Sequence, residues 1–205
     1  MSNIVALVVC LPGSALASRP ELAGTGPWLR RRAPVVVAGG LLGSGLLLST
    51  PAGAFSDVVP YLLAVAALSL LLQPRISTWQ ERHGSHNSGL VLACGLFLAS
   101  VYNGYFGAGS GIMVLTLLLL SVERDTAKAN ALKNMLVGVA TVLSALTLVA
   151  LGHVDWTATG ALALGLFTGS TIGPVVARRI PGPVLRWLVS LAGLGLAFRL
   201  WIAPV

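Results

Sequence analysis

Residues 103–111 read Asn-Gly-Tyr-Phe-Gly-Ala-Gly-Ser-Gly, with four glycines in the eight positions from Gly104 to Gly111. They lie inside a run, residues 87–122, that carries no formal charge. As one straight helix, residues 88–122 would be roughly 50 Å long against a hydrocarbon core of about 30 Å. Each glycine weakens a helix interior by about 1 kcal/mol relative to alanine. The element is therefore expected to break at the glycines and return as a broken or re-entrant helical hairpin.

Composition makes the bilayer the right yardstick. The 205 residues are 56% apolar and only 9% charged, with a mean hydropathy of +0.88. A soluble domain carries about a quarter of its residues as charged side chains, so a water-facing surface is excluded. Residues 1–18, 33–56, 134–152, 156–177 and 187–198 are also free of formal charge, and several reach the roughly 20 residues that a spanning helix needs. Leu, Ala and Gly dominate these runs without the strict alternation of a barrel strand. The expected fold class is all-α, a polytopic helical membrane protein. Its helices are placed near 3–18, 33–50, 54–72, 88–122 (broken), 126–151, 155–177 and 183–203. Ala15-Leu16-Ala17 resembles the end of a signal peptide, but Met1-Ser2-Asn3 has no basic residue; a membrane helix kinked or broken at Pro12-Gly13 is the better reading.

The net charge is +7, yet the basic residues sit in short loops, with one cluster at Arg30, Arg31 and Arg32. They read as topology determinants and not as a nucleic-acid surface. The loops at 73–87, with Arg75 and Arg82, and at 123–129, with Arg124 and Lys128, both read as cytoplasmic. An even number of crossings must separate them, which is a second, independent argument for the break. The loop at His153 and Asp155 is then external, Arg178 and Arg179 return to the cytoplasm, and the C-terminus lies outside.

An offset of 130 residues reveals an internal repeat. Gly39, Gly43 and Pro51 fall on Gly169, Gly173 and Pro181, and Ala33, Ala67 and Leu70 on Ala163, Ala197 and Leu200; at 131, Asn3 falls on Asn134. Small residues four apart have a packing role, since they let membrane helices approach closely. Equivalent loops carry opposite charge character: the basic stretch 19–32 matches the charge-poor 152–155, and 51–54 matches Arg178-Arg179. That is the pattern of an inverted-topology internal repeat, which puts a substrate site near the bilayer midplane. The halves are 1–75 and 88–205, joined by a cytoplasmic linker at 76–87. The second half opens with the glycine-rich hairpin and the first begins abruptly at Asn3. The expectation is that the true start codon lies upstream, that the gene is truncated, or that a separate chain supplies the element.

Asn130, Lys133 and Asn134, at i, i+3 and i+4, are the polar cluster that enters a long apolar helix on one face. Lys133 either meets an anion in the membrane or snorkels to the interface. The Asn103 to Gly111 stretch either frees backbone N–H groups for an anion at the resuming helix or is a tight packing turn. The candidate substrate-binding residues are Asn3, Asn103, Gly104, Gly107, Gly109, Gly111, Asn130, Lys133 and Asn134. No metal, cofactor or catalytic set is expected. His83 and His86 have no ligand partner at metal spacing, Cys10 and Cys94 lie in apolar runs where a thiol behaves as a small hydrophobe, and Asp57 reads as a helix-start residue.

Tyr102 to Gly111, Asn130-Ala131-Leu132-Lys133-Asn134, Val154-Asp155-Trp156, and Arg178-Arg179-Ile180-Pro181 leading to Leu185-Arg186-Trp187 occur in that order. This string resembles the sulfite exporter TauE/SafE family of membrane transporters over essentially the whole chain. The resemblance implies two related halves, each opening with a glycine-rich broken helix, and a permease moving small anions such as sulfite, sulfoacetate or related organosulfonates across the cytoplasmic membrane. By that pattern the chain lacks the first glycine-rich segment, which would form half of the site. The implied partners are the lipid bilayer and a small anionic solute, and a homo-oligomer is compatible with the sequence. The other function classes weighed are a truncated or partner-dependent membrane subunit without independent transport, and an ion or water channel.

If the hairpin reading holds, single cysteines replacing Arg82 and Arg124 react with a membrane-impermeant maleimide from the same side of sealed vesicles. Labelling from opposite sides would remove the even crossing count.

Overall fold

The computed structural model describes residues 1–18, 20–83, 89–123, 125–177 and 182–202. Arg124, His86, Arg178 and Arg179 lie outside the described residues, as do the side chains of Arg75, Arg82 and His83. The chain forms α1 (Ser2–Leu7), α2 (Leu11–Ala17), α3 (Gly26–Ser49), α4 (Ala52–His83), α5 (Gly89–Tyr105), α6 (Ser110–Ser121), α7 (Thr126–Leu151), α8 (Trp156–Ala177) and α9 (Gly182–Ile202). The described residues are all-helical. Gly26–Ser49, Gly53–Leu72 and Ala127–Leu151 are long and apolar enough to cross a membrane. Leu90, Leu98 and Leu164 are 72%, 66% and 70% exposed, an outward apolar surface suited to lipid and not to water.

Three expectations on helix bounds are corrected. The first span is not one helix, because a 3-10 turn at Val8–Cys10 separates α1 from α2. Pro12 has no N–H to give the carbonyl four residues back, and the Leu11 N–H takes the Val8 carbonyl in a tighter bond instead. Arg30, Arg31 and Arg32 are not in a loop but in the first turns of α3, which starts at Gly26 with Pro27 in its opening turn. Arginine is a good helix former, so a charge marks the edge of hydrocarbon and not the end of a helix. Arg32 also ties α3 to α5 by donating to the Gly89 carbonyl at 3.1 Å. Finally, α4 runs to His83, so the expected linker at 76–87 starts as helix.

The uncharged run breaks where glycine is densest, with α5 ending at Tyr105 and α6 resuming at Ser110. A Cβ on Gly95 would sit 2.9 Å from the Leu117 side chain, so α6 doubles back along α5. With 12 residues, α6 is about 18 Å long, short of a full crossing. Beyond it, Glu123 and Lys128 pair at 2.7 Å, and the hydrogen bond from that ammonium holds the Glu123 carboxyl below its ordinary value. Asp125 then caps α7, accepting from the Ala127 N–H at 2.8 Å.

Glycine packs the hairpin onto α3. A Cβ on Gly39 would lie 2.6 Å from the Phe97 carbonyl oxygen, one on Gly43 would collide with the Val101 carbonyl, and one on Gly104 with that of Gly40. The helices cross in backbone contact, as small residues allow in membranes, and the packing role assigned to Gly39 and Gly43 is what the structure shows. At the same Gly40 carbonyl, Ser144 of α7 donates at 3.0 Å. The larger core cluster joins α3, α5, α6 and α7 through Val36, Leu96, Leu118, Leu132 and Leu136. A second joins Ile4, Leu47 and Leu148.

Helix starts recur at the repeat offset: α8 begins 130 residues after α3, and α9 begins 130 after α4. Among the packing pairs outside the hairpin are α3 with α7, α1 with α8, α4 with α9 and α1 with α7. Exchanging each helix for its partner at that offset, with α1 standing for α7, turns the first pair into the second and leaves the other two unchanged.

Gly104→Val forces a branched side chain into the α3 backbone and should cost about 3 kcal/mol or more, at or beyond the usual overpacking range. Thermal unfolding in detergent checks this, with Gly45→Val as control, since no described atom lies within 4 Å of a Cβ there.

Candidate functional site

Two glycines make the break. Gly107 and Gly109 have φ of 85° and 81°, the left-handed region that other residues enter only at a cost. Gly107 is buried against Ile4 and Leu7 of α1, each 3.3 Å from where its Cβ would be, and Gly109 against Ala66 of α4 at 2.8 Å. The break is therefore enclosed by α1 and α4 as well as α7.

Asn103 fastens it. Its Nδ2 donates to Thr141 Oγ1 on α7 at 3.1 Å. Its Oδ1 lies 2.7 Å from Ser110 Oγ, the first residue of α6, and the same hydroxyl lies 3.0 Å from the Gly107 carbonyl. Asn103, Ser110 and Thr141 are each 2% exposed, so both ends of the amide are matched inside the protein. Thr141 stands near the middle of α7 (Thr126–Leu151), which sets the break at about mid-height of a spanning helix.

Beside this clasp, α6 opens at Gly109 with no side-chain cap, leaving its first N–H groups and the positive end of its dipole directed into the break. Lys133 runs alongside the start of α6. Its stem passes Gly111, whose Cβ would be 3.7 Å from the lysine Cδ, and its Nζ donates to Asn130 Oδ1 at 2.8 Å. Glycine at 111 thus gives the lysine its path.

The nine expected residues separate into groups. The Lys133 stem passes Gly111 at the start of α6, next to the Asn103, Gly107 and Gly109 clasp, and its ammonium is held by the exposed Asn130. Gly104 faces α3 and packs. Asn134 turns the other way, donating to the buried Ser18 hydroxyl at 2.9 Å, and borders an apolar groove of about 400 Å³ with Leu11, Ala15, Gly138 and Val142. Asn3 lies half-buried on α1, adjacent to Ile4. Ser110, Thr141 and Ser18 were not singled out in the sequence. Hydroxyls within membrane helices commonly bond their own backbone, so nothing local distinguishes these three. Among the described residues no group of three or more His, Cys, Asp or Glu could hold a metal.

The family model described as sulfite exporter TauE/SafE matches residues 1–200. No curated protein and no solved structure matches the chain.

Asn103→Ala leaves the Ser110 and Thr141 hydroxyls without their shared partner in a dry site, at a cost of about 1–3 kcal/mol. Denaturation midpoints in detergent should show it, whereas Ser49→Ala, whose exposed hydroxyl bonds only its own helix at the Leu46 carbonyl, should leave the midpoint unchanged.

Proposed function

The chain belongs to the sulfite exporter TauE/SafE family of membrane transporters, and on that premise we propose that it moves a small anion of the sulfite or organosulfonate class across the cytoplasmic membrane by alternating access. The observation that carries the reading is the passage of the Lys133 stem along the uncapped start of α6, beside the break that Asn103 fastens to Thr141 of α7. A helix start and an ammonium are both anion-seeking, and in a low-dielectric interior their attraction is little screened. A sulfonate or sulfite offers three acceptor oxygens, enough to take backbone N–H groups from α6 and the lysine together. In this reading Asn103, Gly104, Gly107 and Gly109 build the break, while Gly111, Lys133 and Asn130 present donors. Asn134 and Asn3, equivalent in the repeat, stand apart from it, Asn134 being bonded to Ser18.

The 130-residue recurrence of helix starts, with its exchange of packing partners, supports an inverted-topology repeat made of residues 1–75 and 88–205. Alternating access then follows from rocking one half against the other along the α4–α9 and α1–α7 contacts. A partner-dependent subunit is a second reading, favoured by the open surroundings of Gly169, where no described atom lies within 4 Å of a Cβ.

Radiolabelled sulfite and sulfonate flux in proteoliposomes tests the assignment. Lys133→Ala should weaken apparent affinity about tenfold or more, the effect of losing one hydrogen bond to a charged group. Lys128→Ala, which removes only the partner of Glu123, should match the parent. Equal flux and affinity in the two variants would remove Lys133 from the site.

A further inference from the structure

Helices α3 and α5 run the same way, meeting in ascending order at Arg32 with Gly89, Gly39 with Phe97 and Gly43 with Val101. They therefore begin at one surface of the membrane, and Arg30, Arg31 and Arg32 stand at that end of α3. Arg32 is not splayed into water. Its Nη1 donates to the Gly89 carbonyl at 3.1 Å, its Nη2 lies 3.5 Å from where a Gly89 Cβ would sit, and its Nε is buried with no hydrogen-bond partner among the described residues. A guanidinium has five N–H donors, so most of its capacity is unspent on those residues. None of the three arginines has a carboxylate partner among them either, and Glu123 is already engaged by Lys128.

Topology asks for positive charge at this end of α3, but not for a guanidinium folded onto the neighbouring helix. The surface that continues from it is apolar. Arg31, Ala38 and Leu42 stand at i, i+7 and i+11, on one face of α3 by helical periodicity, and all three are exposed. On α5, Leu90 and Leu98, at i and i+8, are exposed as well, whereas Val36 of α3 and Leu96 of α5 face the core. From Arg31 to Leu42 the helix advances about 16 Å, close to one leaflet of a hydrocarbon core about 30 Å thick. A free inorganic anion would use the arginines and leave the apolar stripes idle. A phospholipid uses both.

We propose that the mouth of the α3–α5 seam binds one anionic phospholipid, its phosphodiester on Arg31 and Arg32 and an acyl chain along the exposed stripes that end at Leu42 and Leu98. A guanidinium meets two phosphate oxygens through parallel N–H bonds, and basic pockets between helices at the cytoplasmic surface suit such headgroups. Arg30 is turned about 100° from Arg31 and about 160° from Arg32 around the helix, so it adds charge without joining the seat. The bound lipid spans α3 and α5 where the hairpin is rooted, at the end of the crossing that Gly39 and Gly43 bring into backbone contact. The inference is independent of which solute is carried.

The test titrates the full chain in detergent with phosphatidylglycerol or phosphatidylcholine and counts bound lipid by native mass spectrometry. One phosphatidylglycerol should bind about fivefold or more tighter than phosphatidylcholine, the effect of one basic side chain on an anionic headgroup. Arg31→Gln should lose that preference while keeping the unfolding midpoint, because the side chain is exposed. Arg30→Gln, the same change in net charge on another face, should retain it. Glycerophosphoglycerol or inorganic phosphate at the lipid's own concentration should not displace the lipid. Equal binding of the two lipids, a preference that survives Arg31→Gln, equal losses in the two variants, or displacement by either soluble anion would each overturn the site. These readouts do not involve flux, so failure of the anion-transport assignment leaves them unchanged.

Discussion

Hydrocarbon offers no water to a freed peptide group, so a chain that breaks its helix inside the bilayer must satisfy the break from within the protein. Everything at the centre of this molecule answers that demand. Asn103 is suited to it because one side chain both accepts and donates: its carbonyl meets Ser110 Oγ across the break, and its amide meets Thr141 Oγ1 on α7. An aspartate would bring a charge and a serine would not reach both helices. The amide therefore sets where α5 stops, where α6 begins, and how high both stand against α7.

That clasp depends on the crossing beneath it. Gly39, Gly43 and Gly104 let α3 and α5 touch backbone to backbone, which fixes the last turns of α5 in depth and rotation. Ser144 of α7 meets α3 at the same Gly40 carbonyl that Gly104 packs against. Helix α3 is thus wedged between α5 and α7, and the amide of Asn103 closes the third side of the triangle. Small residues act here by bringing polar backbone within range, so the dispersion gain of close packing and the satisfaction of the break arise from the same positions.

The break was legible in the sequence because two independent constraints, helix length against bilayer thickness and loop charge parity, converge on the densest glycine cluster. The packing of Gly39 and Gly43 was legible from spacing alone. What escaped the sequence was the direction of side chains in space. Asn130, Lys133 and Asn134 share a face by periodicity, yet Asn134 turns to Ser18 while Lys133 bonds Asn130 and runs past Gly111 of α6. Thr141 gave no sign, since only the fold brings it to Asn103, 38 residues away in sequence. The arginines at 30–32 misled the helix boundary because formal charge reports on the solvent, and the backbone of α3 continues through them.

Lys133 raises an electrostatic question that the same centre resolves. An ammonium beside a helix start faces a like partial charge, a repulsion of about 0.3–1 kcal/mol by the usual magnitude of dipole effects, and more when partly buried. A hydrogen bond from a charged donor is worth about 1.5–3 kcal/mol, so the acceptor at Asn130 Oδ1, 2.8 Å away, outweighs the repulsion and holds the ammonium while no anion is present. On the proposed reading, an incoming anion reverses the sign of the helix term and competes with a single neutral amide for the lysine. The balance is shallow in both directions, as a transporter requires, because a site that must release its solute cannot hold its cation in a deep ion pair. Asn130 does what a carboxylate could not: it satisfies the lysine without neutralising it, and so leaves its attraction for an anion intact.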